Sequence, residues 1–201
     1  MNFRRLAMAS ILFAVGILAF SPAVAAAEAP EAGALQPGTY KIDPVHSSVV
    51  FGIRHLGITY VYGRFNAMSG TLTIGEENHA IEMTVETASI DTNNEKRDKH
   101  LRTDDFFDAE AHPAISFKSA SFAPTGEDTF EVSGELTLHG VTRPTTVPAR
   151  HTGSGEDPWG GFRAGFQTVF GIRRSDFGMD KLMNSVGDEV ELTVSIQAIL
   201  Q

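Results

Sequence analysis

The sequence predicts an all-β fold: about eight antiparallel strands closed into a barrel, with one short helical insert. Three observations carry that prediction. Apolar and polar residues alternate with period two over most of the chain after residue 38, the mark of half-buried strands. Short Gly-, Pro- and Asn-rich turns separate the runs, as they do between antiparallel neighbours. Eight is also the strand number at which a sheet closes around side chains or one small ligand, leaving no exposed edge.

The elements follow in order. Val49, Phe51 and Ile53 face one way, Val61, Gly63 and Phe65 continue the face, and Leu72 and Ile74 follow. Ile81, Met83 and Val85 alternate with Glu82, Thr84 and Glu86, the cleanest such pattern in the chain. Ile115 and Phe117 come next, then Phe130, Val132, Gly134, Leu136 and Leu138 against Glu131, Ser133, Glu135 and Thr137. The last two runs are Ala164, Phe166, Thr168, Phe170, Ile172 and Val190, Leu192, Val194, Ile196. Turns are expected at Met68–Gly70, Gly75–Asn78, Pro124–Gly126, His139-Gly140 and Gly153–Gly161. Between Asp91 and Asp108 alternation stops and charge is dense; Thr92 with Glu95 reads as a capping box that starts a short helix over one mouth of the barrel. Arg97 and Asp98 are expected to pair and fix that insert.

The chain divides into residues 1–27, 28–38 and 39–201. Arg4 and Arg5 precede an apolar run from Leu6 to Phe20, Ser21-Pro22 breaks it, and Ala25-Ala26-Ala27 supplies small residues before Glu28. That is the pattern of a secretory signal peptide cleaved after Ala27, and the run is shorter than the roughly 18 apolar residues of a membrane span. Residues 28–38 read as a flexible leader, and 39–201 as the folded domain. The mature chain is expected in the periplasm, with no stable membrane anchor. It has no cysteine, hence no disulfide and no lipid attached through one.

A formal net charge of -9 opposes nucleic acid and anionic membrane surfaces as partners. No nucleophile elbow, phosphate loop or HExxH pattern is present, so no catalytic residue, cofactor or metal is assigned. His46 and His55 flank one strand and point to opposite faces. His100 and His112, with Asp98, Asp104, Asp108 and Glu110 between them, have the composition but not the spacing of a metal site. They define the alternative, a metal-dependent enzyme.

Aromatic content points elsewhere: the chain has 14 Phe against one Trp and three Tyr. A filled core and a lined cavity require the same pattern, so periodicity leaves both open. Two loops favour a cavity: 175–187, with Phe177, Met179, Leu182 and Met183, and the glycine-rich frame of Trp159. The candidate ligand-binding set is Val49, Phe51, Ile53, His55, Val61, Phe65, Met83, Val85, Phe117, Leu136, Phe166, Phe170, Ile172, Arg174 and Leu192. His55 and one of Arg173 and Arg174 are the polar candidates at the mouth.

Seven stretches, in order, carry a resemblance: YKID (40–43), His46-Ser47, HLG (55–57), YGRF (62–65), RDKHLRTDDF (97–106), GELTLHGVTRP (134–144) and DPWGGFRAGF (157–166). RSDFG (174–178) fits as well. Together they are similar to the YceI-like family of bacterial periplasmic proteins, described as lipid- or polyisoprenoid-binding, across about residues 40–199. The resemblance implies a lipocalin-like barrel around an elongated hydrophobic channel, no catalytic residues and no obligatory metal. It implies a long-chain isoprenoid or similar amphiphile as partner: a polyprenyl, quinone or quinone-precursor lipid, its head near the mouth. A third reading, a ligand-free envelope-stress module, requires a solid barrel.

Overall fold

The computed structural model describes residues 33–75 and 78–201. The signal-peptide reading and residues 28–32 of the leader lie outside those residues. Among the described residues, eleven strands in one sheet form eight walls, all antiparallel, and the sheet closes through its first and last strands.

The first three walls are each made of two half-strands. Strands β1 (Gly38–Ile42) and β2 (Ser48–His55) both lie along β11 (Val186–Leu200), β1 against its C-terminal end and β2 against its N-terminal half. Strands β3 (Thr59–Phe65) and β4 (Met68–Ile74) pair with β2 and β1 respectively. Strand β5 (His79–Glu86) pairs with β4, and the two residues of β6 (Ile90–Asp91) with β3. At the break between β1 and β2, Pro44 has no N–H for a ladder, and Asp43 organises the turn: its carboxylate accepts the Val45 N–H and its carbonyl accepts the Ser47 hydroxyl.

Full-length walls follow: β7 (Ala114–Pro124), β8 (Thr129–Leu138), β9 (Val141–Glu156), β10 (Phe162–Arg173) and β11. The β8–β9 hairpin turns on His139 (φ 51°) and Gly140 (φ 73°), the double left-handed geometry of a two-residue hairpin. The alternation does not disclose β9. Its inward residues Val147, Ala149 and His151 give little contrast, and Pro144 and Pro148 read as breakers. Nor is Gly153–Gly161 one turn: β9 runs to Glu156, and only Asp157–Gly161 reverses the chain, with the Asp157 carboxylate accepting the Trp159 and Gly161 N–H groups.

A seam opens between β9 and β10. β9 pairs with β8 along its first half, Val141 to Arg150, but with β10 only from Arg150 onward. The β9–β10 ladder ends at Gln167↔Arg150. Pro144 and Pro148 occupy the stretch of β9 that leaves β10 unpaired, and neither has an N–H to offer.

The barrel is solid at one end. Tyr40, Ile42, Leu72, Ile74, Ala164, Phe166, Ile196 and Ala198 form a packed floor, and the Tyr40 hydroxyl donates to the Gln36 carbonyl. Tyr40 meets Phe162 edge-on at 6.5 Å, and Leu35 packs against the same cluster. Asp43, His46, Asp157 and Arg163 latch this end from outside. Arg163 donates to both carboxylates and His46 bonds Asp43.

At the other end lies helix α1 (Glu95–Leu101). Its N-cap is Asn94, whose side chain accepts the Arg97 N–H, and not Thr92. Thr92 is buried, and its N–H and hydroxyl both donate to Asp98. Arg97 donates to the Thr92 hydroxyl and carbonyl, so Arg97 and Asp98 grip one threonine from two sides instead of pairing. Arg102 completes the attachment by donating to the Ala88 and Ile90 carbonyls.

Candidate functional site: a two-chambered apolar channel

Above the floor the barrel is hollow. An inner chamber of about 130 Å³ and an outer one of about 340 Å³ share the wall residues Val49, Val85, Ile115, Leu136 and Leu192, which form a waist between them. Alternation along each strand produces this lining, since every second residue of a wall points inward.

All fifteen residues singled out from the sequence face these chambers. Val49, Val85, Leu136 and Leu192 stand at the waist. Met83, Phe117, Phe166 and Phe170 line the inner chamber. Phe51, Ile53, His55, Val61, Phe65, Ile172 and Arg174 line the outer one. The sequence reading missed two groups. Val147 and Ala149 lie on the unrecognised strand β9. Arg97, His100, Leu101, Phe106 and Phe107 reach the outer chamber from the insert, which the dense charge around them disguised.

Polarity is distributed along the axis. The inner chamber is bounded almost wholly by hydrocarbon and aromatic rings. Its inward polar exception is Thr168, beside the β9–β10 seam, whose hydroxyl is buried without a hydrogen-bond partner among the described residues. His55, Thr92, Arg97, His100 and Arg174 all belong to the outer chamber. The channel therefore has a polar end and an apolar end.

Arg174 does not stand free to receive a head group. It is 3% exposed, and its guanidinium donates to three backbone carbonyls: Gly187 at 2.8 Å, Met179 at 2.7 Å and Val186 at 3.0 Å. Burial lowers its pKa, while Asp188 and Asp180 act the other way. It staples the 178–187 loop across the barrel. Arg173, its neighbour, points outward and pairs in register with Glu189. His55, Arg97 and His100 are thus the polar groups nearer the solvent side of the mouth.

The two loops that favoured a cavity have different fates. Met179, Leu182 and Val186 of the first line the outer chamber. Trp159 lies at the opposite end, exposed over the Arg163 guanidinium at 5.8 Å, and contributes nothing to the channel. Periodicity orders residues along a strand without saying which end holds the mouth. A strap also crosses the rim: Asp105 binds His100 at 2.8 Å and Lys181 at 2.6 Å, and the hydrogen bonds from Lys181, foremost, and from His100 hold its pKa below the usual carboxylate range.

His100 and His112 do not share a site. His100 is taken up by Asp105, and His112 stacks edge-on against His139 at 4.9 Å. Among the described residues no group of three or more His, Asp or Glu converges as metal ligands do. Nor is any helix among them long and apolar enough to cross a membrane.

Comparison with known proteins agrees with this architecture. The family described as YceI-like domain matches residues 40–198. A UPF0312 protein of Pseudomonas aeruginosa is 41% identical over 175 residues, covering 85% of this chain and 91% of the relative. Protein YceI of Escherichia coli O157:H7 has the same identity and coverage. Among solved structures, Burkholderia cenocepacia BcnA superposes with a TM-score of 0.71 at 24% identity, over 78% of this chain and 98% of that one. The Campylobacter jejuni YCEI protein gives 0.67 at 27%, over 74% and 90%. A polyisoprenoid binding domain from Saccharophagus degradans gives 0.64 at 17%, over 83% and 100%.

Proposed function

Since the chain belongs to the YceI-like domain family, we propose that it is a periplasmic carrier of a long-chain isoprenoid lipid, of polyprenyl, quinone or quinone-precursor type. The observation that carries this reading is the pair of adjoining apolar chambers that share five wall residues, with the charged and imidazole side chains in the outer one. Such a cavity fits an amphiphile: a hydrocarbon tail directed at the floor and a head at the mouth, near His55, Arg97 and His100. The polyisoprenoid binding described for the Saccharophagus degradans domain, which has the same fold, is in keeping with that chemistry.

Energetics favour the match. Each methylene taken out of water contributes about 0.8 kcal/mol, so the gross drive for a tail of several isoprene units is large. Ordering the tail and the side chains around it offsets much of that gain. No chemistry is required of the lining. The signal-peptide pattern of residues 1–27 supports a compartment through which an isoprenoid tail cannot travel unaided.

Mass spectrometry of the denatured protein, purified from the envelope fraction, tests the reading. A co-purified prenyl lipid in near-stoichiometric amount is expected, and an emptied protein should take up added prenyl alcohols. Repeated absence of any lipid, together with no uptake, would overturn it.

A further inference from the structure

Four apolar side chains stand in water around the mouth: Ile58 is 82% exposed, Leu56 56%, Leu182 46% and Met183 42%. They belong to two loops, the β2–β3 hairpin and the 178–185 segment, which the Leu56 N–H joins by donating to the Ser185 carbonyl at 2.7 Å. Two of the four also hold an unusual backbone. Leu56 has φ 54° and Leu182 has φ 57°, in the left-handed region where glycine or asparagine is the favoured residue. At each position leucine is unfavourable twice, once for its backbone and once for its apolar chain in solvent. Neither side chain closes the core, so stability of the fold does not account for them. Leu182 is also part of the outer chamber, so the collar adjoins the channel wall there.

We propose that this collar docks on a neutral lipid bilayer surface, with its four side chains inserted among the acyl chains, and that the cargo is loaded and released there. The inference rests on the carrier reading: a tail leaving through the mouth meets water unless an apolar phase covers the rim. Attraction to anionic headgroups is not the drive. The chain carries a formal charge of -9, and Lys181, the cation beside Leu182, is tied to Asp105. Docking by apolar insertion is therefore insensitive to salt.

Flotation with phosphatidylcholine vesicles at low and high salt tests this. The wild-type chain is expected to float equally at both. A Leu56→Asn/Ile58→Ser/Met183→Ser variant, which leaves the channel lining untouched, is expected to bind about tenfold more weakly or less. It should still take up cyclodextrin-dispersed geranylgeraniol like the wild type, and its transfer of that probe between vesicles should slow in step with flotation. A wild type that does not float, or a variant that floats equally well, overturns the docking. So does a wild-type dimer that the variant dissociates without any flotation, since the collar is then a contact between copies. If neither protein takes up geranylgeraniol, the carrier reading falls instead.

Discussion

Asp43 ties the closed end together, and its chemistry makes that end sensitive to acid. Its pKa falls from 3.8 to about 2, chiefly through the His46 hydrogen bond and then through Arg163, against the upward push of burial. A carboxylate depressed in the fold adds stability that is complete above the unfolded value near 3.8 and is lost as pH falls through about 2. Asp43→Asn should therefore lower the thermal midpoint at neutral pH yet flatten its decline between pH 3.8 and about 2, as followed by circular dichroism. His79 acts in a higher window. Its ring lies between Phe122 and Phe130, its Nδ1 has no partner among the described residues, and burial lowers its pKa. The unfolded chain takes up that proton first, so stability falls as pH drops below 6.5. His79→Phe should remove that component, measured as the change in urea midpoint between pH 7 and pH 5. Arg174 is the third such residue. A lysine in its place cannot reach three carbonyls in a planar fork, so Arg174→Lys should cost about 2–4 kcal/mol in urea unfolding.

Among the elements, β9 is unevenly secured. Its first half is held by β8 alone, and across the seam β10 has hydrogen-bonding groups that its ladder does not use. In hydrogen exchange, the seam-facing amides of residues 168–173 should exchange far faster than those directed at β11, whose ladder is continuous from Arg163 to Arg173. Equal protection on both sides would contradict the seam. Helix α1 is short and depends on its cap. Asn94→Ala should cost about 1 kcal/mol and loosen the first turn, read from the exchange of the Arg97 amide. The element scale is also where the sequence is least complete as a guide. Thr92-x-x-Glu95 satisfies the pattern of a cap, but Asp98 claims the Thr92 hydroxyl, and the role passes to Asn94. That competition arises from the tertiary placement of Asp98, which local spacing does not contain.

For the whole molecule, the barrel class and much of the lining were legible because each strand must turn apolar residues inward regardless of what it encloses; the wall made by β9 was not. Phe166 and Phe170 illustrate the limit of that logic. They share a strand face, yet Phe166 is part of both the packed floor and the inner chamber, while Phe170 borders empty space. A filled barrel and a hollow one call for the same alternation; only volumes separate them. The polar groups of the mouth were half legible: His55 and Arg174 ended recognisable strands, while Arg97 and His100 required knowing where α1 folds back. The waist gives a test at this scale. Leu136→Trp should narrow the passage at an overpacking cost of about 1–3 kcal/mol, sparing short prenyl alcohols and excluding long ones in competition binding. The stopper of Tyr40 and Phe162 has a consequence of its own. For the isoprenoid ligand proposed above, a tube sealed at its base would be a gauge: each added isoprene unit strengthens the grip until the tip touches bottom, after which further length stays outside in the cold. On the proposed carrier reading, the fold would thereby sort its cargo by size as well as by greasiness, with no group needed to recognise the tail's far end.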